Sequence, residues 1–169
     1  TRTSLVPTQL HRLLNSNTNA LPILQILIGG APITDSLLSQ ARNKGWQVHR
    51  TYGLSEMASQ VITEVTPDHW CCLDHAELKI ESQEVFVKGE SLFLGYGEPT
   101  NLTVPTCSSG WFATSDMASG REAKFRFIGR KDNVFVSGGE NVLSEFVEKP
   151  LLESRVVDSV VVLPQPNAV

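Results

Sequence analysis

Tyr52-Gly53-Leu54-Ser55-Glu56 gathers an aromatic ring, a side-chain-free backbone, a hydroxyl and a carboxylate within five residues. The ring can stack on a base. The glycine lets backbone approach a ligand closely. Ser55 can hydrogen-bond a phosphate oxygen, and Glu56 is a hard oxygen donor suited to Mg2+. A second glycine-bearing string, Gly29-Gly30-Ala31-Pro32, lies upstream, so two such turns could face one crevice. Downstream, Gly110-Trp111-Phe112-Ala113-Thr114-Ser115-Asp116 puts a carboxylate after a short strand. One carboxylate can accept from both hydroxyls of a ribose. Gly129-Arg130-Lys131-Asp132 adds a guanidinium, whose planar fork suits phosphate or carboxylate. Each string also has an ordinary reading, as a strand-end turn, a helix cap or a solvated loop charge.

The elements that must position these residues follow from the apolar spacing. Residues 1–20 read as a helix, with Leu10, Leu13 and Leu14 at helical spacing, running into a polar loop at 15–19. Ile23 to Ile28 reads as a buried strand ended by the Gly-Gly turn. Thr34 or Asp35 can cap a helix carrying Leu37, Leu38 and Ala41, with Gly45 to close it. Gln47 to Thr51 is a second strand, ending at Tyr52-Gly53. Strand, turn, helix, strand is the βαβ pattern of a parallel sheet, whose ligands bind at the carboxyl ends of the strands.

After about residue 60 the runs shorten and alternate: 60–64, 76–80, 84–88, 125–128 and 134–136. They predict a small antiparallel sheet or barrel. A Gly-Gly turn follows at 138–139, then a helix from about Ser144 kinked or cut short by Pro150, then a strand over Val156–Leu163. The fold class expected is mixed α/β. The end of a parallel α/β part (about 1–64) leads into a small antiparallel β part (about 65–131), and the start of a mobile α+β region occupies 132–169. Both ends read as though the chain starts and stops mid-protein.

Composition narrows the function classes. The 169 residues carry 14 Lys+Arg against 18 Asp+Glu, a formal charge of -4 with no basic run, which argues against nucleic acid as the partner. No apolar stretch approaches the roughly 18 residues of a membrane-spanning helix. Three cysteines, two of them adjacent, make a poor disulfide framework and suit a cytoplasmic protein. His69, Cys71, Cys72 and His75 are all possible zinc ligands, but their spacing does not match the usual paired motif. The expectation there is a surface loop with buried thiols. Cys107 reads as structural. Composition leaves the oligomeric state open.

YGLSE, GWFATSD and GRKDNVFVSGGENV, in this order and spacing, resemble the adenylate-forming acyl-CoA synthetase superfamily. The last of these, with VPTQLHRLLN and LIGGAPI, is similar more specifically to the o-succinylbenzoate–CoA ligases of menaquinone biosynthesis, over nearly the whole chain. The resemblance implies an enzyme that uses ATP, CoA and an aromatic carboxylic acid with Mg2+. It puts Tyr52 and Gly53 beside the adenine, with Gly29, Gly30 and Ala31 as backbone walls of the pocket. Ser55 falls at the α-phosphate, Glu56 at Mg2+, Asp116 at the ribose and Arg130 at ribose or phosphate. Asp132 becomes a hinge, and Gly138 and Gly139 lie on a mobile loop. The superfamily's phosphate loop and its C-terminal lysine are not among these 169 residues. The chain alone is therefore expected not to catalyse adenylation. Two other readings stay open: another acyl-CoA ligase or carrier-protein adenylation domain, and a non-catalytic adenosine-nucleotide-binding module.

Overall fold

The computed structural model describes residues 1–16, 25–103, 109–121, 123–154, 156–157 and 159–165. Cys107 lies outside them, as do residues 17–19 of the polar loop and residues 23–24 of the expected first strand. In chain order the elements are β1 (Arg2–Leu5), α1 (Pro7–Asn15), β2 (Gln25–Ile28), α2 (Asp35–Asn43), β3 (Gln47–Leu54) and β4 (Ser59–Thr66). Next come β5 (His69–Cys72), β6 (Ala76–Glu81), β7 (Glu84–Gly89), β8 (Tyr96–Glu98) and β9 (Asn101–Thr103). The last are β10 (Phe112–Arg121), β11 (Lys124–Arg130), β12 (Val134–Ser137), β13 (Glu140–Leu143) and α3 (Ser144–Glu153). The chain is thus mixed α/β. Its contacts divide into two compact units, Thr1–Leu78 with Lys88–Pro105, and Lys79–Val87 with Thr106–Val169.

In the first unit β1, β2 and β3 are parallel neighbours. β4 pairs antiparallel with β3, and β5 with β4. The single helix expected at the start is instead a strand followed by a helix. Pro7 is the reason: it lacks an N–H and fits only the first helical turn. The Val6 N–H donates to the Gln9 side chain at 3.0 Å, closing that turn. α1 buries Leu10 and Leu14. α2 starts as expected at Thr34, whose hydroxyl accepts the Leu37 N–H at 3.3 Å, and Gly45 reverses the chain beyond it at φ 81°. The two helices and the sheet share one core of Leu10, Leu14, Ile26, Ile28, Leu38, Ala41 and Val48.

β3 does not end at Thr51. Residues 47–50 pair parallel with β2, and residues 51–54 pair antiparallel with β4. Tyr52 and Gly53 therefore sit inside a strand that changes partners, with a register shift between them. The stretch 68–75, expected as a loop with buried thiols, contains strand β5. Pro67 and Asp68 (φ 59°) turn the chain from β4 into it. Trp70 points inward at 7% exposure, whereas Cys71 and Cys72 are exposed free thiols. Trp70 and Cys72 share one face of β5 and Cys71 takes the other, yet only the large ring is taken into the core.

In the second unit the strand order is β11-β10-β7, all antiparallel. Val85, Val87, Phe112, Ala118 and Phe125 are buried here. β12 and β13 form a hairpin with Ser137 opposite Glu140. Its two-residue loop, Gly138-Gly139, has φ of 60° and 85°, which favours glycine at both positions. α3 begins at Ser144 as expected and lasts only to Glu153, with Pro150 inside its last turn. The strand expected over Val156–Leu163 is absent among the described residues. A β-branched run makes a strand only if its backbone finds a ladder. Instead the Val162 N–H donates to Glu148 Oε1 at 2.8 Å, and its carbonyl accepts the Ser144 hydroxyl at 3.3 Å.

Candidate functional site

Within the first unit the parallel strands carry two of the four predicted strings at their carboxyl ends. Ile28 ends β2 opposite Arg50. Gly29 follows, and a Cβ there would collide with the Thr51 side chain, one residue before Tyr52. Gly29-Gly30-Ala31 and Tyr52 are thus neighbours at the edge where a doubly wound sheet binds ligands. Gly53 has a different reason to be glycine. The volume of its missing side chain is occupied by the backbone of Ser59 and Gln60, so strand pairing requires it.

Ser55 and Glu56 occupy a 3₁₀ turn, Ser55–Met57, at the end of β3. Leu54 leads in with an extended backbone, and Ala58 closes the turn at φ 62°, donating to the Ser55 carbonyl at 3.0 Å. A left-handed alanine costs about 1 kcal/mol, and it persists because Met57 is a fully buried anchor. Ser55 is left exposed and Glu56 half-buried. Glu56 Oε1 accepts the Tyr96 hydroxyl at 2.6 Å. Its backbone carbonyl accepts the Phe93 N–H at 2.7 Å. Among the described residues Oε2 takes no hydrogen bond. One half-exposed carboxylate with an unengaged oxygen fits Mg2+, which usually takes one or two protein carboxylates and fills its shell with water and substrate phosphates.

The second unit places Asp116 and Arg130 together. They lie directly opposite each other on β10 and β11. Arg130 Nη1 donates to Asp116 Oδ1 at 3.0 Å, and Nη2 to Asp132 Oδ2 at 2.9 Å. The bond from Asp132 and the two neighbouring carboxylates raise the Arg130 pKa above the ordinary arginine value, so the guanidinium stays charged. Asp116 does not follow a short strand, as its sequence suggested. It sits on a bulge inside β10. Between the pairs Ala113–Phe86 and Met117–Glu84, three residues of β10 face one of β7. Ser115 takes φ 61°, and the Thr114 hydroxyl accepts the Asp116 N–H at 3.1 Å while donating to the Val85 carbonyl at 2.9 Å. A bulge re-aims a side chain out of the sheet, and such bulges concentrate beside active sites.

Asp132 lies in the 3₁₀ turn Lys131–Asn133 that links β11 to β12. Lys131 Nζ donates to Glu84 at 2.6 Å. Glu145, on the first turn of α3, accepts the Arg130 N–H at 3.2 Å and the Asn133 amide at 2.7 Å. A Cβ on Gly129 would come within 2.7 Å of that carboxylate, which helps explain the glycine. Gly138 and Gly139 have open space around them. The sequence thus marks Glu56, Asp116 and Arg130, but not Tyr96 or Glu145. Their partners lie 40 and 15 residues away, beyond any local pattern. Among the described residues no cluster of three or more His, Cys, Asp or Glu side chains gathers as a metal site. No described helix is long and apolar enough to cross a membrane.

No family model matches the chain. Individual proteins do. The 2-succinylbenzoate–CoA ligase of Haemophilus influenzae is 34% identical over 174 residues, covering 99% of this chain and 38% of the relative. Escherichia coli MenE, solved with a bound m-phenylether-linked analogue of OSB-AMS, is 36% identical with a TM-score of 0.82, over 99% of this chain and 38% of that one. The Bacillus subtilis o-succinylbenzoate coenzyme A synthetase, solved with ATP and magnesium ion, is 29% identical with a TM-score of 0.77, over 94% and 38%. By sequence and by fold the chain belongs with the adenylate-forming acyl-CoA synthetases. Within them it belongs to the 2-succinylbenzoate–CoA ligase family, and it spans just over a third of the length of these relatives.

Proposed function

We propose that the protein carrying this chain is an ATP-dependent acid–thiol ligase that adenylates o-succinylbenzoate and transfers it to CoA in menaquinone biosynthesis. The observation that carries this reading is the match, along 99% of the chain, to Escherichia coli MenE. In the first half-reaction the acid's carboxylate attacks the α-phosphorus of ATP and pyrophosphate leaves. In the second the CoA thiol attacks the acyl carbonyl and AMP leaves.

The chain's own residues position and neutralise. Tyr52 and Gly53 flank the adenine, with Gly29, Gly30 and Ala31 as walls. Ser55 donates to the α-phosphate. Asp116 accepts from the ribose hydroxyls, an assignment supported by the bulge in β10 on which it sits. Arg130, held between Asp116 and Asp132, offers its charge to ribose or phosphate. Mg2+ held by Glu56 would offset charge on the triphosphate. Asp132 is the hinge between a large part, residues 1–131, and the beginning of a small mobile part, residues 132–169. Gly138 and Gly139 ride on that small part. Cytoplasmic residence belongs to the same proposal and is supported by the free thiols of Cys71 and Cys72.

The test is CoA-dependent AMP formation by the complete protein, with ATP, Mg2+ and o-succinylbenzoate set against a panel of other aromatic and fatty acids. Strong preference for o-succinylbenzoate is the expected result. Turnover confined to another acid refutes the substrate while keeping the ligase chemistry. The 169-residue chain alone should release no pyrophosphate, because the superfamily's phosphate loop and C-terminal lysine are not in it.

A further inference from the structure

Tyr96 belongs to none of the motifs that mark the site, yet it makes a direct hydrogen bond to the most consequential carboxylate of the first unit. Its hydroxyl donates to Glu56 Oε1 at 2.6 Å, across 40 residues of sequence. The segment that carries it is tied to the same residue a second time, since the Phe93 N–H donates to the Glu56 carbonyl at 2.7 Å. The Phe93 and Tyr96 rings meet edge to face with centroids 4.7 Å apart, so the side chain is braced on one side although half of it is exposed. The short β8–β9 hairpin begins at Tyr96. Gly95 and Gly97, at φ 143° and 118°, lie where a Cβ would come within 2.6 Å of the Thr103 and Asn101 carbonyls, so the backbone on both sides of Tyr96 is pinned against its partner strand.

A glutamate on a 3₁₀ turn has three side-chain torsions to lose before its carboxylate points one way. A phenol donating to one oxygen removes most of that freedom and leaves the other oxygen facing outward. We propose that Tyr96 is a positioning residue for the metal step: it fixes Glu56 by Oε1 and so presents Oε2 to the cation that accompanies the nucleotide. The inference rests on the reading of Glu56 as the metal-holding residue. A phenol hydrogen bond does not remove the carboxylate's charge, and preorganisation of a charged ligand strengthens binding without adding a contact.

The experiment uses the complete protein and Mn2+ as the probe. Free Mn2+ is read by electron paramagnetic resonance during titration in the presence of ATP, and metal-free ATP binding is read by calorimetry. The variants are Tyr96→Phe, which keeps the ring against Phe93, Glu56→Gln, and the double variant, with thermal unfolding as the check on folding. Tyr96→Phe should weaken Mn2+ binding about five- to tenfold, the scale of one hydrogen bond to a charged group on a half-exposed side chain. Metal-free ATP binding should not change. Glu56→Gln should weaken Mn2+ binding at least as much, and the double variant should be no weaker than Glu56→Gln alone. If Glu56→Gln weakens the metal and Tyr96→Phe does not, the positioning role falls and the reading of Glu56 stands. Additive losses in the double variant also overturn it, because Tyr96 would then act elsewhere. If Glu56→Gln leaves Mn2+ binding untouched, the reading of Glu56 fails first and takes the inference with it.

Discussion

Two guanidinium–carboxylate pairs, one in each unit, use the same chemistry for opposite ends. In the first unit Arg50 on β3 grips Glu64 on β4 with both arms of its fork, Nε to Oε2 at 2.8 Å and Nη2 to Oε1. Glu64 is 2% exposed. It also accepts the Asp68 N–H at 2.8 Å, which fixes the turn into β5, and the Trp70 ring lies 5.9 Å from the guanidinium. Both carboxylate oxygens are engaged within the fold. In the second unit Arg130 divides its arms between two carboxylates, and about half of its side chain faces water. The first pair is turned inward, and Arg50 Nη2 also reaches Asp68 at 3.4 Å. The second keeps donors and acceptors within reach of solvent. A buried pair costs much when broken, because a charge is left behind without water. A half-exposed pair costs little, because water replaces the lost partner. That difference leaves Arg130 open to water at about half of its side chain, whereas Glu64 is closed off from it.

The comparison can be broken most directly at Glu64. Glu64→Ala leaves part-buried Arg50 with only its longer contacts, to Asp68 at 3.4 Å and Asp35 at 3.9 Å, and should lower unfolding stability by about 2–3 kcal/mol in urea titration. A loss below about 1 kcal/mol would put this pair in the same class as the exposed one. Lysine substitution sharpens the contrast in the fork itself. Arg50→Lys forfeits the two-armed geometry and the stacking near Trp70, and should cost about 1–2 kcal/mol, whereas Arg130→Lys should cost under about 0.5 kcal/mol by the same measurement. Asp116→Ala should barely shift the unfolding midpoint while weakening ATP binding by the complete protein about tenfold or more, the value of a lost charged acceptor. Unchanged ATP affinity there would return Asp116 to the status of a strand-bulge acid.

The smallest effect concerns Lys131. Its bond to Glu84 and the charge of Glu84 raise its pKa above the ordinary 10.5. The folded state therefore binds the proton more tightly than the unfolded state does. Whatever stability this contributes is present below that ordinary value and is lost as pH rises through the higher folded one. Comparing wild type with Lys131→Met between pH 8 and 11.5 should show two nearly parallel stability curves that converge only at the alkaline end. A large gap at pH 8 would mean that the exposed cluster is a structural clamp after all.

Much of the frame was legible without coordinates. The spacing of Leu10, Leu13 and Leu14 marked α1, Thr34 and Gly45 marked both ends of α2, and Gly138-Gly139 marked the turn between β12 and β13. These are local facts of torsion, capping and periodicity, and a chain carries them wherever it folds. The run Val156–Leu163 misled for a complementary reason. Its β-branched residues prefer extended backbone, but a strand is a pairing, and the backbone of Val162 found the side chains of α3 instead. The two cysteines misled because free thiols are commonly buried, whereas β5 commits only Trp70 to the core.

The sequence by itself determined which residue types could handle a nucleotide, in what order they come, and which family they resemble. Those depend on composition and spacing alone. Only the tertiary structure decided that β3 changes partners at Tyr52, that a bulge in β10 sets Asp116 opposite Arg130, that Glu64 closes on Arg50, and that Tyr96 reaches back to Glu56. Each of these is an arrangement between residues from 14 to 40 positions apart, or a strand register fixed by the partner on the other side. No local preference specifies such a contact; it exists only once burial and pairing have brought the two segments together.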